Sequence, residues 1–226
     1  MLHMSDSRPP RARSPRMTGR QRREQLVVVG RSLFAQKGYN ATSVEEVAAK
    51  AGVSKPIVYE HFGGKEGLYA VIVDRETDHL LRVLEDALHD VHQHPRVLVE
   101  KAALAFLTYI EENEDGFQIL VRDSPASQTS GTYSALLVDV ASQVEDLLVR
   151  HMRAQKYTSL HAAMYAQMLV GIVSYTGQWW LETSRPSKEV VASHIVNLAW
   201  NGLRGLESEP RLLTTNRHSK KKQPHR

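Results

Sequence analysis

The chain contains no cysteine. That excludes a disulfide framework, a thiolate nucleophile and Cys-ligated zinc. It contains no apolar run near the roughly 20 residues that span a bilayer. No apolar segment follows the N-terminal arginines at the position of a signal peptide. A cytoplasmic protein with no membrane partner is expected. The sequence lacks G-x-S-x-G, G-x-G-x-x-G, a phosphate-binding P-loop and H-E-x-x-H, so no enzymatic activity and no cofactor are expected. Alternating strand patterns are missing as well. One group invites a metal: His79, His89, Asp90, His92 and His94. These residues fall where a long helix is expected to end, and histidine is favourable near a helix C-terminus, so no metal is assigned.

What is present is ordinary in bulk and uneven in distribution. The 226 residues are 42% apolar and 24% charged, enough for a small domain joined to a larger one. The formal net charge of +4 conceals an asymmetry. Residues 1–23 hold seven Arg and one Asp, and residues 211–226 hold six Lys or Arg and no acid. The two ends sum to +12, which leaves −8 for residues 24–210. The chain is an acidic body with two basic tails. The first tail, residues 1–20, is rich in Pro, Ser and Arg and cannot build a core. It is either a leader or an arm for phosphates or the minor groove. The second, residues 209–226, is expected to be a solvated tail.

Between the tails the apolar residues recur at helical spacing. Residues 23–37 place Leu26, Val29, Leu33 and Phe34 on one face, and Gly38 is a natural stop. Thr42 with Glu45 three residues later reads as a capping box for a helix over 44–51. A second short helix over 54–61 contains Pro56, and Ser54 is placed to cap it. From Lys65 a long helix runs towards 92–95. Pro95 restarts the chain, with Val99, Ala102, Phe106 and Ile110 in register. A shorter element follows, then a Ser/Thr/Gly break and helices over 133–154, 159–183 and 187–206. The fold class is all-α with about nine helices.

The last two helices are apolar on two sides. On 159–183 one stripe is Met164, Met168, Tyr175 and Trp179, and the other is Ala166, Val170, Val173, Gly177 and Trp180. On 187–206 the apolar positions are Val191, Ile195, Leu198, Gly202 and Trp200. A twofold homodimer through Val170, Val173, Gly177, Trp180, Val191, Ile195, Leu198 and Gly202 is expected, with a large intramolecular core as the alternative.

Two short helices joined by "AGVS" are expected to form a helix-turn-helix, a motif whose second helix can enter the DNA major groove. The order G-Y-x-x-T-S at 38–43, V-A-x-x-A-G-V-S at 47–54, Y-x-H-F at 59–62 and K-x-x-L at 65–68 resembles the DNA-binding domain of the tetracycline-repressor (TetR) family. The resemblance covers about 45 residues and implies a helix-turn-helix domain over 21–67 and an effector-binding and dimerisation domain over 68–208. It implies that Thr42 and Ser43 meet phosphate at the start of the second helix. Ser54, Lys55, Pro56 and Ile57 would face bases, with Lys55 suited to guanine O6/N7 and Pro56 and Ile57 to a thymine methyl. Tyr59, His61 and Lys65 would meet phosphates. The partners implied are a palindromic double-stranded DNA operator and a small-molecule effector, and the implied action is release of a repressor from DNA.

For the effector the sequence offers an interior set of Phe106, Tyr109, Phe117, Tyr133, Met168, Tyr175 and Trp179, with Asn113, Asp139 and Gln143 as polar positions. A small, largely apolar effector is expected. The rival reading is a nonspecific nucleic-acid binder working through the basic tails, with a steep salt dependence and little sequence choice.

Overall fold

The computed structural model describes residues 17–90, 92–122, 133–154, 159–207, 210 and 212. Most of both basic tails lies outside these residues. Among the described residues there are nine helices and no strand: α1 (Gly19–Ala41), α2 (Val44–Ala51), α3 (Lys55–Phe62), α4 (Lys65–Leu88), α5 (Pro95–Glu112), α6 (Glu114–Val121), α7 (Tyr133–Ala154), α8 (Ala162–Thr183) and α9 (Lys188–Arg204).

Local chemistry sets the ends. Thr18 caps α1 in a capping box with Gln21, so the helix already starts at Gly19, inside the segment expected to be an arm. Gly38 breaks α1 at φ 79° and ψ 169°, a backbone geometry that glycine adopts without a Cβ penalty. The cap of α2 is one residue later than the sequence suggests. Ser43, not Thr42, accepts from the backbone N–H of Glu46 at 3.1 Å. Ser54 stands at the N-cap of α3, yet its hydroxyl makes no capping bond. Pro56 lies in the first turn, where no helical donor is lost. α4 stops at Leu88, short of the expected 92–95.

Among the described residues two main apolar cores result, beside a small third cluster of Leu148, Met152, Ala162 and Ala166 between α7 and α8. The smaller main core joins α1 to α4 around Leu26, Phe34, Val47, Val58, Leu68 and Ile72, and takes Ile119 from α6. The larger gathers α4 to α9 around Leu80, Phe106, Phe117, Leu136, Trp180 and Ile195. α4 runs through both. Its Leu68, Tyr69 and Ile72 belong to the first core, and Val73 touches each. The packing boundary therefore falls near Val73 rather than at 67.

Polar contacts tie α1 to the larger core. Arg75 on α4 grips Glu24 through two bonds of 2.7 and 2.9 Å. The Arg122 guanidinium, just after α6, donates to the carbonyl of Ala35. Arg31 faces Glu76, which is buried on α4.

Candidate nucleic-acid interface and effector cavity

The turn between α2 and α3 is closed by two backbone bonds, Gly52 N–H to Ala49 O at 3.1 Å and Val53 N–H to Ala48 O at 2.9 Å. Val58 is fully buried and seats α3 on the smaller core. From behind, α1 holds the C-terminal ends of both helices. Gln25 donates to Ala51 O at 3.1 Å, and Arg23 donates to His61 O while its guanidinium lies 4.3 Å over the Phe62 ring. A cation beside a helix C-terminus meets its unpaired carbonyls favourably. Sequence reasoning missed Arg23 and Gln25, because the signal is a contact between segments distant in sequence.

With its back fixed, α3 presents Ser54, Lys55, Pro56 and Tyr59 to solvent, with Ile57 and His61 half-buried beside them. Lys55 is paired with Glu45 of α2, and its ammonium sits 5.7 Å from the centre of the Tyr59 ring. The hydrogen bond from Lys55 holds the Glu45 carboxyl below its usual range. The same bond raises the Lys55 ammonium above its own.

Two expected phosphate contacts are placed differently. Thr42 is buried and donates its hydroxyl hydrogen to Gly38 O at 2.9 Å, so it closes the α1–α2 corner and presents no donor at the surface. Ser43 is exposed, with its oxygen engaged as the α2 cap. Lys65 is half-buried. Its ammonium donates to Tyr39 O at 3.0 Å and lies 4.3 Å over the Tyr39 ring. It fastens the start of α4 to the end of α1.

The larger core borders a partly open cavity of about 310 Å³. Leu84, Leu98, Phe106, Val140, Val144 and Leu169 are among its walls, and the lining is overwhelmingly apolar. Polar groups gather where α7 ends, at Gln93, Arg150 and His151. Trp200 stands with them, its ring 4.9 Å from His94 and 6.3 Å from His151. Along α7 the lining runs from Leu137 to His151, about 21 Å at the helical rise.

This cavity uses a different set of residues from the one expected. Phe106 lines it. Tyr109 lies in the core with its hydroxyl on Glu76, and burial pushes its phenol far above the usual range. Asn113 caps the end of α5 and accepts from Arg31 at 3.4 Å. Phe117 and Tyr133 pack against each other, 5.7 Å between rings, behind the lining. Asp139 is exposed, and Gln143, half-buried, is not part of the lining. Met168, Tyr175 and Trp179 point to solvent.

The stripe assigned to the dimer faces inward instead. Val170 and Val173 line the cavity. Gly177 packs on Phe106 so closely that a Cβ there would lie 2.3 Å from the ring. Trp180 is buried and donates its indole N–H to Pro186 O at 2.7 Å. Val191 and Ile195 belong to the core. Leu198 and Gly202 stay on the surface. The two stripes of α8 have exchanged places. Residues 159–183 gave no basis for ranking one apolar stripe as the inner one, and the decisive feature is the smallness of Gly177, which lets α5 approach.

Among the described residues no group of three or more His, Cys, Asp or Glu side chains converges as a metal site, and none of the described helices is long and apolar enough to cross a membrane. His94 accepts from the backbone N–H of Arg96 at 3.3 Å.

A helix-turn-helix joined by one continuous helix to a helical domain is the build of a DNA-binding transcriptional regulator. Residues 26–72 match the family described as bacterial regulatory proteins, tetR family, and residues 95–202 match the tetracyclin repressor-like C-terminal domain. The HTH-type transcriptional activator FasR of Mycolicibacterium smegmatis is 32% identical over 200 residues, covering 84% of this chain and 87% of that protein. The chain belongs to the tetR family. The HTH-type transcriptional repressor BdcR of Escherichia coli is 36% identical over 88 residues, 38% of this chain and 45% of its own. Among solved structures, the TetR family regulator PfmR of Thermus thermophilus superposes with a TM-score of 0.65 at 28% identity, over 84% of this chain and 98% of that one. A TetR-like regulator of a Rhodococcus species does so at 0.68 and 24%, over 84% and 100%, a likeness of fold.

Proposed function

We propose that the chain works as a homodimer that reads a palindromic operator with the Ser54–Ile57 end of α3 and alters its hold on DNA when a small, largely apolar effector fills the cavity. The observation that carries this is the course of α4. Its first half seats the helix-turn-helix, and its Leu84 and Leu88 wall the cavity. An occupant that shifts α4 changes the spacing of the two reading helices, which must lie about 34–36 Å apart to enter successive grooves. Tyr59 and His61 flank the reading surface as phosphate contacts, with Arg23 holding the His61 carbonyl from behind. The dimer forms through the outward stripe of α8, Met164, Met168, Gly171, Tyr175 and Trp179, together with Leu198 and Gly202 of α9.

Repression lifted by the effector is the first sign of regulation. Activation is the second, favoured by one observation: the relative matched along both domains is named an activator, whereas the one named a repressor matches over 38% of the chain. A reporter fused to the bound promoter, with and without the gene for this protein, separates the two signs.

The test is selection of bound duplexes from a random pool, followed by a screen of small molecules for release. An inverted repeat with half-sites one helical turn apart is expected. Recovery of unrelated sequences that bind by charge alone would replace this reading with nonspecific binding through the tails.

A further inference from the structure

Helices α1, α2 and α3 carry four acidic side chains, Glu24, Glu45, Glu46 and Glu60. Three of them are paired with a cation: Glu24 with Arg75, Glu45 with Lys55 and Glu46 with Lys37. Among the described residues Glu60 has no ion pair and no hydrogen-bond partner, and its side chain is exposed. Its place on α3 is set by Val58, which is fully buried against the smaller core. Pro56 and Glu60 flank Val58 two residues to either side, so both lie on the opposite side of the helix. Tyr59, also exposed, completes that face. Glu60 stands about 6 Å beyond Pro56 along the helix, at the usual rise per residue. Lys55, five residues before it, stands at the other edge of the exposed surface.

In the operator reading above this face enters the major groove, and the inference rests on that reading. An ionised carboxylate accepts hydrogen bonds and donates none. The phosphates along the groove are anionic and offer it no donor. Docking strips water from the carboxylate, and a charge desolvated without a partner is costly. The donors inside the major groove are the N4 amino group of cytosine and the N6 amino group of adenine. Adenine sets its N7 acceptor beside N6, where it repels the second carboxylate oxygen, whereas cytosine has no acceptor on that edge. We infer that Glu60 is a specificity-determining residue whose carboxylate accepts from N4 of one cytosine in each half-site, at a base pair other than the one that Lys55 meets. Glu45, on the neighbouring helix, cannot take this role while Lys55 occupies its carboxylate. The lysine then selects guanine by donating and the glutamate selects cytosine by accepting, from opposite edges of one short helix.

The experiment uses the full chain, unmodified and as Glu60→Gln and Glu60→Ala. Each protein selects duplexes from a random pool, and each is then titrated against every single-position variant of the recovered operator. The unmodified protein is expected to require cytosine at one position of each half-site and to bind the other three bases there about tenfold or more weakly. Glu60→Ala is expected to lose that one preference and keep the rest. Glu60→Gln is expected to move it to adenine, because glutamine bonds N6 and N7 together. Helical content and melting temperature should match the parent, since Glu60 is exposed and has no partner among the described residues. A bulk charge changes affinity for all sequences alike, so a switch of base at one position separates the two roles. Variants that bind every sequence more tightly with base choice unchanged would make Glu60 a solvated charge, which overturns the inference and leaves α3 as the reader. A pool from which the unmodified protein recovers no half-site overturns it together with the operator reading.

Discussion

Tyr109 donates its phenolic hydrogen to Glu76 Oε2 across 3.1 Å, and this bond ties α5 to α4 where Arg31 of α1 meets the same carboxylate. Tyr109 is one turn from Phe106, which lines the cavity. The other oxygen of Glu76 lies 3.0 Å from Arg31 Nε on α1, and a second nitrogen of Arg31 reaches Asn113 at the end of α5. Arg31 Nε is within ion-pair distance, but its N–H is not aimed for a hydrogen bond. Tyr109 is therefore the better-directed partner of this buried carboxylate. Tyr109→Phe is expected to destabilise the chain by about 1–3 kcal/mol, measured by urea unfolding. A change of a few tenths would mean that Arg31 and solvent satisfy Glu76 unaided.

Gly116 explains how close the helices must come at that joint. A Cβ there would lie 2.1 Å from Glu76 Oε2 and 2.8 Å from Arg31 Nη2. Gly116→Ala must push the carboxylate off both of its partners. Overpacking at such a site costs about 1–3 kcal/mol. Helix propensity works the other way by up to about 1 kcal/mol, since alanine is the better helix former. A net loss in thermal or urea stability is expected, and a variant as stable as the parent would show that Glu76 moves freely.

Much of the fold was legible from periodicity and punctuation. Gly38 and Pro95 mark breaks that the structure keeps, because each sets a backbone torsion or removes a donor locally. The exposure of Ser54, Lys55 and Pro56 on α3 was legible for the same reason, since they are consecutive and need no partner to be exposed. The pocket was not legible. Met168 and Val170 are two residues apart on an apolar helix, and only the approach of α5 over Gly177 decides which of them turns inward. Thr42 was misplaced because a hydroxyl at a helix start serves equally as a surface donor or as a buried corner bond, and its neighbours in sequence do not separate the two. The joint of Arg31, Glu76 and Tyr109 was invisible, because its members are scattered over three helices.

The pairing of Lys55 with Glu45 puts a negative charge beside the proposed reading surface. Both side chains are exposed, so the pair adds little to stability. Its consequence lies in binding. Glu45→Gln removes a repulsion and frees the lysine, and is expected to steepen the salt slope of DNA binding by about one unit while raising affinity for all sequences. Lys55→Ala should instead lower discrimination at one operator position by about 1–3 kcal/mol. Competition binding against single-position variants of the operator distinguishes the two effects. Identical slopes for all three proteins would remove Lys55 from the interface.

Lys65 is bound within the protein, so its substitution should read as a folding change. Lys65→Ala loses the bond to Tyr39 O and the contact over the Tyr39 ring. A loss of about 1 kcal/mol in stability is expected from one charged hydrogen bond and a partly exposed cation–π contact. The salt slope of operator binding should stay within error of the parent. A slope lower by about one unit, with unchanged melting, would return Lys65 to the set of phosphate contacts.

The outward stripe of α8 gives the dimer its sharpest test. Tyr175 is 78% exposed and Trp179 49%, an unusual outlay of aromatic surface on one face of one helix. Gly171 lies between Met168 and Tyr175 with open space around it, so a facing backbone can approach. Tyr175→Lys places a charge in the middle of that face, where a twofold axis would meet it with its own copy. Like charges brought together in a desolvated interface are costly, so monomers are expected at micromolar concentration in sedimentation velocity, against dimers for the parent. Helical content should be unchanged, because Tyr175 has no role in the monomer core. Ile195→Asn, by contrast, buries an amide in the larger core and should lower the melting temperature at any protein concentration. A parent that sediments as a monomer, or a Tyr175→Lys variant that stays dimeric, would move the interface off this face of α8.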